Sequence, residues 1–242
     1  MKVFFVWTKP NYSSGDVKNL YFSMKKHLSI PFDFYCLTDQ AHLLKSFYYS
    51  QEDFKILELD VFDQSLFCGW WAKLLIFEYL HFCQVNLKEK SSEFAWDTNE
   101  DIFFLDLDTI ILGPIDHIIM RAQESKSIIM LRDFYRSDKW GSGLMYLPKN
   151  RQSYKDVCLE FREDKKKQFR GDQDWIQHIL EHQDKPKFWQ DILPKNVVVS
   201  YKIHCDLNFV PPESRIVCFH GNPKPTYLLK ESSWIRENYL LE

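Results

Sequence analysis

The chain lacks an excess of either charge: 31 Lys and Arg stand against 34 Asp and Glu, a formal net charge of −3. Nothing therefore steers the protein as a whole to nucleic acid. No apolar run approaches the roughly 18 residues of a spanning helix. The N-terminal stretch Val3-Phe4-Phe5-Val6-Trp7 is too short for a signal-peptide core and ends in Thr8-Lys9-Pro10. The expectation is a soluble, cytoplasmic protein with at most peripheral contact to a membrane. Its six cysteines include no Cys-x-x-Cys pair, and several sit inside apolar runs, as suits reduced core thiols in a reducing compartment. No internal repeat and no linker divides the sequence, so residues 1–242 read as one domain with a single substantial core. What the chain has in quantity is aromatic residues, with 20 Phe, 12 Tyr and 8 Trp. Most belong to a Phe-rich core, and some can line a cleft for bases and sugars, which present flat faces to stack on.

Local patterning predicts a strand over 2–7, a turn-rich segment over 9–15, a helix over 16–27 and a strand over 32–37. That order opens an α/β nucleotide-binding half, in which ligands sit at the carboxyl ends of strands. A third strand is expected over 54–59, and the longest helix over 69–82, with Trp71, Leu74, Leu75 and Tyr79 on one stripe. Residues 84–100 are polar and read as a surface insertion. After a Gly113-Pro114 turn come a short helix over 115–122, strands over 127–131 and 143–147, helices over 151–161 and 172–181, and short strands over 197–199 and 215–219.

Residues 102–112 read Ile-Phe-Phe-Leu-Asp-Leu-Asp-Thr-Ile-Ile-Leu, so Asp106 and Asp108 interrupt what would otherwise be one continuous buried strand. Ionised carboxylates in that setting are costly unless a cation neutralises them. Alternate residues of an extended chain, with the bend after it, can aim two oxygens at one ion. A divalent metal carrying a phosphorylated ligand is the economical explanation. Asp172-Gln173-Asp174 is a second Asp-x-Asp triplet, so spacing alone does not decide.

Six segments together are more specific. Tyr12 in the first strand-to-helix turn, Trp70-Trp71-Ala72-Lys73-Leu74, Asp106-Leu107-Asp108-Thr109, Gly141-Ser142-Gly143, Gly171-Asp172-Gln173 and His220-Gly221-Asn222-Pro223-Lys224-Pro225 follow one another in order. In this order they resemble the GT-A-type nucleotide-sugar glycosyltransferases, most closely the glycogenin and lipopolysaccharide galactosyltransferase-like group known as family 8. The likeness spans nearly the whole chain. It implies an α/β fold with a Rossmann-like mixed sheet flanked by helices and a smaller C-terminal elaboration. Residues 1–112 would form the nucleotide-binding half, and 113–242 the half that completes the metal and acceptor sites.

By the same resemblance Asp106, Asp108 and His220 ligate a divalent metal, Mn²⁺ or Mg²⁺, that bridges the donor diphosphate, a ligand set that suits Mn²⁺. Lys73 meets the donor phosphate or sugar, and Tyr12 stacks on the base with Thr8 in the same donor-binding turn. Gly221 permits close backbone approach, and Lys224 brings a point charge to a phosphate. Asp172, at the anomeric centre, and Asp133, among the polar groups holding donor-sugar hydroxyls, are the candidate catalytic acids. The implied partners are a UDP-sugar donor and a glycan, lipid-linked saccharide or protein acceptor, with retention of anomeric configuration. Many relatives carry Asn-Ser-Gly where this chain has Gly141-Ser142-Gly143, which removes one side-chain contact to the donor sugar.

Rival readings use the same residues. Haloacid-dehalogenase-type phosphatases carry a similar Asp-x-Asp strand, but the motif usually opens such chains, and positions 175–177 supply no further acid. A nucleotide-sugar-binding protein without turnover would keep the metal ligands. His178 and His182 lie at helical spacing around Glu181 but read as a solvated helix face rather than a zinc site. Lys165-Lys166-Lys167 with Arg162 and Arg170 reads as a solvated helix end that could also meet an anionic acceptor or a membrane surface; charge reversal without effect on either would remove that idea.

Overall fold

Parallel central strands must be apolar on both faces, and Lys2–Trp7 (β1) satisfies this, with Val3 and Phe5 in one core cluster and Phe4 in another on the opposite face. The computed structural model describes residues 1–8, 10, 12–48, 51–59, 66–85 and 100–239. β1 pairs in parallel with Asp33–Thr38 (β2) and Ile102–Leu105 (β4), and β2 in parallel with Phe54–Glu58 (β3). Trp140–Leu147 (β7) runs antiparallel to β4 and to Ile129–Arg132 (β6), and Lys187–Phe188 (β8) closes the far edge beside β6. The result is a seven-stranded mixed sheet in the order β3-β2-β1-β4-β7-β6-β8. It takes strands from both sides of position 112.

Helices cover both faces. Ser14–His27 (α1) begins with a capping box, in which the Ser13 side chain receives the Asp16 amide and Asp16 receives the Ser13 amide at 2.7 Å. Lys25, Lys26 and His27 in its last turn complement the helix dipole. Its Val17, Leu20, Tyr21 and Met24 fill the core with Val3, Phe5, Phe103 and Leu105. Ala41–Tyr48 (α2) is a short helix beyond the predicted ones. On the other face the expected long helix is divided: Gly69–Lys73 is a 3-10 turn that leads into Leu74–Val85 (α3). Leu74, Leu75, Ile76 and Phe77 are all buried there, so that region has no single apolar stripe. The expected insertion over 84–100 lies almost wholly outside the described residues.

The Asp-x-Asp segment is where one sheet hands over to another. Thr109–Ile111 (β5) does not continue β4 but joins a three-stranded sheet with Ile216–Cys218 (β10) and Val198–Ser200 (β9), in the order β5-β10-β9. Asp106 still donates its amide to Gly143 on the large sheet at 2.9 Å, whereas the Asp108 carbonyl accepts from Phe219 beside the small one at 3.1 Å. A third core cluster, with Ile110, Val217, Phe219, Trp234 and Ile235, stabilises this C-terminal elaboration. The remaining helices are Asp116–Ser125 (α4), Tyr154–Leu159 (α5), Glu163–Gln168 (α6), Asp172–Leu180 (α7), Trp189–Ile192 (α8), Tyr201–His204 (α9) and Ser233–Asn238 (α10). Lys165, Lys166 and Lys167 lie on α6, which buries no residue, while His178 sits against Phe169 and Trp175 and His182 is exposed. No helix among the described residues is long and apolar enough to cross a membrane.

Candidate active site

At the carboxyl ends of β1 and β4 a cavity of about 540 Å³ opens, and Thr8, Tyr12, Lys73, Asp106, Asp108, Asp133, Asp172, His220, Gly221 and Lys224 all line it. The structure thus brings every sequence-derived candidate to one place, although they come from widely separated parts of the chain. Thr8 donates its hydroxyl to the Gly69 carbonyl at 3.3 Å, which ties the end of β1 to the 3-10 turn.

Two lysines neutralise the carboxylates of this cavity. Lys73, the last residue of the 3-10 turn, is 7% exposed. Its Nζ lies 2.8 and 3.0 Å from the two Asp106 oxygens, 3.2 Å from Ser142 Oγ and 3.5 Å from Asp172 Oδ2. Burial works against its charge, but Asp106 and Asp172 outweigh that and hold the ammonium proton above the usual lysine range. Lys224 reaches Asp108 Oδ2 at 2.5 Å and the Tyr12 hydroxyl at 2.7 Å, with its Nζ 4.4 Å from the Tyr12 ring centroid. Asp108 is almost wholly buried, and that burial together with the Asp106 charge pushes its carboxyl up to about 6 against the pull of Lys224. Burial, and then the nearby Asp108 and Asp106 charges, also raise the Tyr12 phenol.

Asp172 is the first residue of α7, preceded by extended Gly171. Ser142 on β7 donates its hydroxyl to Asp172 Oδ2 at 2.5 Å, and burial raises the Asp172 acid although Lys73 and Ser142 oppose the shift. The middle residue of Gly141-Ser142-Gly143 therefore joins the candidates; the sequence marked the triplet but assigned its serine no task. Gly143 lies close to the neighbouring acid: a Cβ there would lie 3.1 Å from Asp106 Oδ2, tight enough that the carboxylate would have to shift by a few tenths of an ångström. Gly221 has φ +68°, a conformation that favours glycine.

Asp133 also lines the cavity, but its acceptors are occupied. It receives the amides of Tyr135 and Arg136 at 2.8 and 2.9 Å, the Arg136 guanidinium at 3.0 Å and Gln173 Nε2 at 3.4 Å. Burial opposes ionisation, yet these donors together hold the carboxyl below the usual range. In this arrangement Asp133 organises its own loop, and contact with a sugar hydroxyl requires one of those donors to give way.

The expected metal ligands share the cavity without being gathered into a ligand cluster. No group of three or more His, Cys, Asp or Glu among the described residues is placed to hold an ion, because Asp106 closes on Lys73 and Asp108 on Lys224. The donor chemistry nevertheless fits a divalent cation. His220 Nε2 is buried without a hydrogen-bond partner among the described residues. Burial lowers the imidazole pKa, which favours the neutral, lone-pair-bearing form. Asp106, Asp108 and His220, two carboxylates and an imidazole lining one cavity, are the residues that could hold such an ion as an O,O,N set.

No protein family and no curated protein sequence matches the chain. Solved structures do match. The glycosyltransferase GlyE of Streptococcus pneumoniae TIGR4 aligns with a TM-score of 0.67 and 13% identity over 100% of this chain, which spans 60% of that protein. The galactosyltransferase LgtC, crystallised with donor and acceptor sugar analogues, aligns with a TM-score of 0.57 and 10% identity over 100% of this chain and 98% of that one. Mouse xyloside xylosyltransferase 1 aligns at 0.50 and 16% over 92% and 98%. The fold of this chain is that of the GT-A-type glycosyltransferases, a mixed α/β sheet flanked by helices.

Proposed function

We propose that this chain is a metal-dependent glycosyltransferase that moves a hexosyl group from a nucleoside diphosphate sugar, with UDP as the nucleotide, to a hydroxyl of a glycan, lipid-linked saccharide or protein. Residues 1–242 act as one unit, with the nucleotide seat in 1–112 and the metal-completing and acceptor parts in 113–242. The observation that carries this reading is the charge inventory of the cavity. Asp106 and Asp108 are each closed by one lysine, next to an imidazole nitrogen with no partner among the described residues. Asp106, Asp108 and His220 are the residues that would hold a divalent cation, and Lys73 and Lys224 would then be free to meet the negative charges of a diphosphate. The exchange leaves the buried charge balanced, as a site in low dielectric requires.

The cation would supply Lewis-acid stabilisation of the departing diphosphate. The protein supplies the rest. Lys73 and Lys224 hold the diphosphate as it gains charge, Tyr12 and Thr8 receive the base side, and Gly221 lets the backbone approach closely. Asp172 faces the sugar carbon as it becomes oxocarbenium-like, and Ser142 fixes that carboxylate so that little reorganisation is needed when positive charge develops. Retention of configuration follows the family resemblance. The phosphatase alternative needs a different fold around its Asp-x-Asp strand. The binding-only alternative keeps the same cavity and is separated by turnover.

The test is UDP release from a panel of UDP-hexoses with Mn²⁺, in wild type and in Asp172→Asn. Release that needs metal and falls at least a hundredfold in the variant, with UDP binding retained, is expected. UDP binding without release from any donor or acceptor would leave the non-catalytic reading in its place.

A further inference from the structure

We infer that Trp70 is the platform on which a pyranose ring of the acceptor stacks, an inference that rests on the transferase reading above. Trp70 and Trp71 are neighbours with opposite fates. Trp71 is 5% exposed and stacks on Phe161 with ring centroids 4.8 Å apart, whereas Trp70 is 55% exposed and lines the cavity. A single exposed aromatic needs no explanation by itself; its place does the arguing here.

Trp70 and Lys73 are three residues apart on a 3-10 turn, where side chains at that spacing eclipse and share a face. Lys73 is the deep member of the pair, against Asp106 and Asp172, and Trp70 is the outer one. The pyrrole edge of Trp70 lies 3.7 Å from where a Gly171 Cβ would stand, so the indole borders the residue immediately before Asp172. A ring laid on Trp70 is therefore held beside the carboxylate proposed to face the reacting carbon. Tyr12, Lys224 and Asp108 are bonded to one another in a separate cluster of the same cavity, the cluster to which the reading above assigns the base. Exposed Arg170, which also lines the cavity, precedes Gly171 and supplies donors for hydroxyls around such a ring. The chemistry matches a saccharide: an apolar C–H face for the indole and a rim of hydroxyls for polar neighbours.

The test is saturation-transfer NMR with methyl glycosides of glucose, galactose, mannose, xylose and N-acetylglucosamine, on protein loaded with UDP and diamagnetic Mg²⁺. Calorimetric titration of UDP accompanies it for each variant. Wild type is expected to transfer saturation to the C–H protons of at least one glycoside. Trp70→Ala is expected to weaken that binding about tenfold, and Trp70→Phe, which keeps a ring, to retain most of it. UDP affinity should stay within about twofold in both, which also reports an intact fold. Saccharide binding unchanged in Trp70→Ala, or no glycoside bound by UDP-loaded wild type, overturns the inference. So does parallel loss of UDP affinity in Trp70→Ala with the fold intact by circular dichroism, since Trp70 would then belong to the nucleotide seat. Failure of wild type to bind UDP at all removes the transferase reading and this inference with it.

Discussion

Lys73→Met tests the charge arrangement at its deepest point. The substitution keeps an apolar stem and deletes an ammonium whose side chain is 9% exposed, 2.8 Å from Asp106 Oδ1 and 3.5 Å from Asp172 Oδ2. Removing one partner of a buried ion pair costs about 3–5 kcal/mol, because it strands the charge left behind. Two carboxylates are stranded here, and Asp172, at 7% side-chain exposure, cannot recover solvent. Against a typical total stability of about 5–15 kcal/mol the variant sits near the margin. For a domain of this size the loss corresponds to a fall in Tm of roughly 6–20 °C. The pH dependence has a definite sign. Burial already raises the Asp172 acid with Lys73 present, and loss of the lysine raises it further. A carboxyl whose folded pKa exceeds its unfolded one binds protons more tightly when folded, so the deficit of the variant is smallest in acid and grows as pH rises. Urea unfolding of both proteins in metal-free buffer across that range measures it. The double variant Lys73→Met, Asp172→Asn should recover part of the loss. A deficit below about 1 kcal/mol at neutral pH, or one that deepens in acid, refutes the argument.

Three further outcomes follow, two from single distances and one from a shifted carboxyl. Gly143→Ala places a Cβ against Asp106 Oδ2 and is expected to weaken Mn²⁺-dependent UDP binding about tenfold while costing roughly 1–3 kcal/mol of stability, read by calorimetry and urea unfolding. Ser142→Ala withdraws the hydroxyl that holds Asp172; kcat should fall about tenfold or more with KM for the donor little changed, and an equal rise in KM would point to ground-state binding instead. Because Asp108 is pushed up to about 6, its carboxylate protonates as pH falls through that value. Metal-dependent UDP affinity should then decline from pH 7 to pH 5, read by calorimetry, and an affinity that stays flat over that range contradicts the assignment.

The features legible in the sequence were those carried by local pattern. β1, α1 and β2 fall within one or two residues of expectation because β-branched and aromatic runs, the capping Ser13 and the basic last turn all act over short range. Asp106 and Asp108 stood out because carboxylates are conspicuous between apolar runs. Tertiary placement was hidden. Nothing in Ile102–Ile111 marks the change of sheet, since a buried strand on either side looks equally apolar. The 3-10 turn before α3 depends on Gly69 at φ +60° and on the tie from Thr8, a partner 61 positions away. The stripe that grouped Trp71 with Leu74 and Leu75 pointed to Trp71 as the buried ring, but that its neighbour Trp70 faces the cavity was not legible. The occupation of Asp133 by its own loop is likewise a matter of geometry rather than residue type.

Calorimetric titration of UDP into the protein with Mn²⁺, and again with EDTA, bears most directly on the proposed site, and Asp108→Ala supplies the control. Binding that requires Mn²⁺ and vanishes in the variant is the predicted result. UDP binding that is indifferent to metal, or absent under both conditions, contradicts the claim that Asp106 and Asp108 exchange their lysine partners for a cation that His220 also ligates and that bears a nucleotide diphosphate.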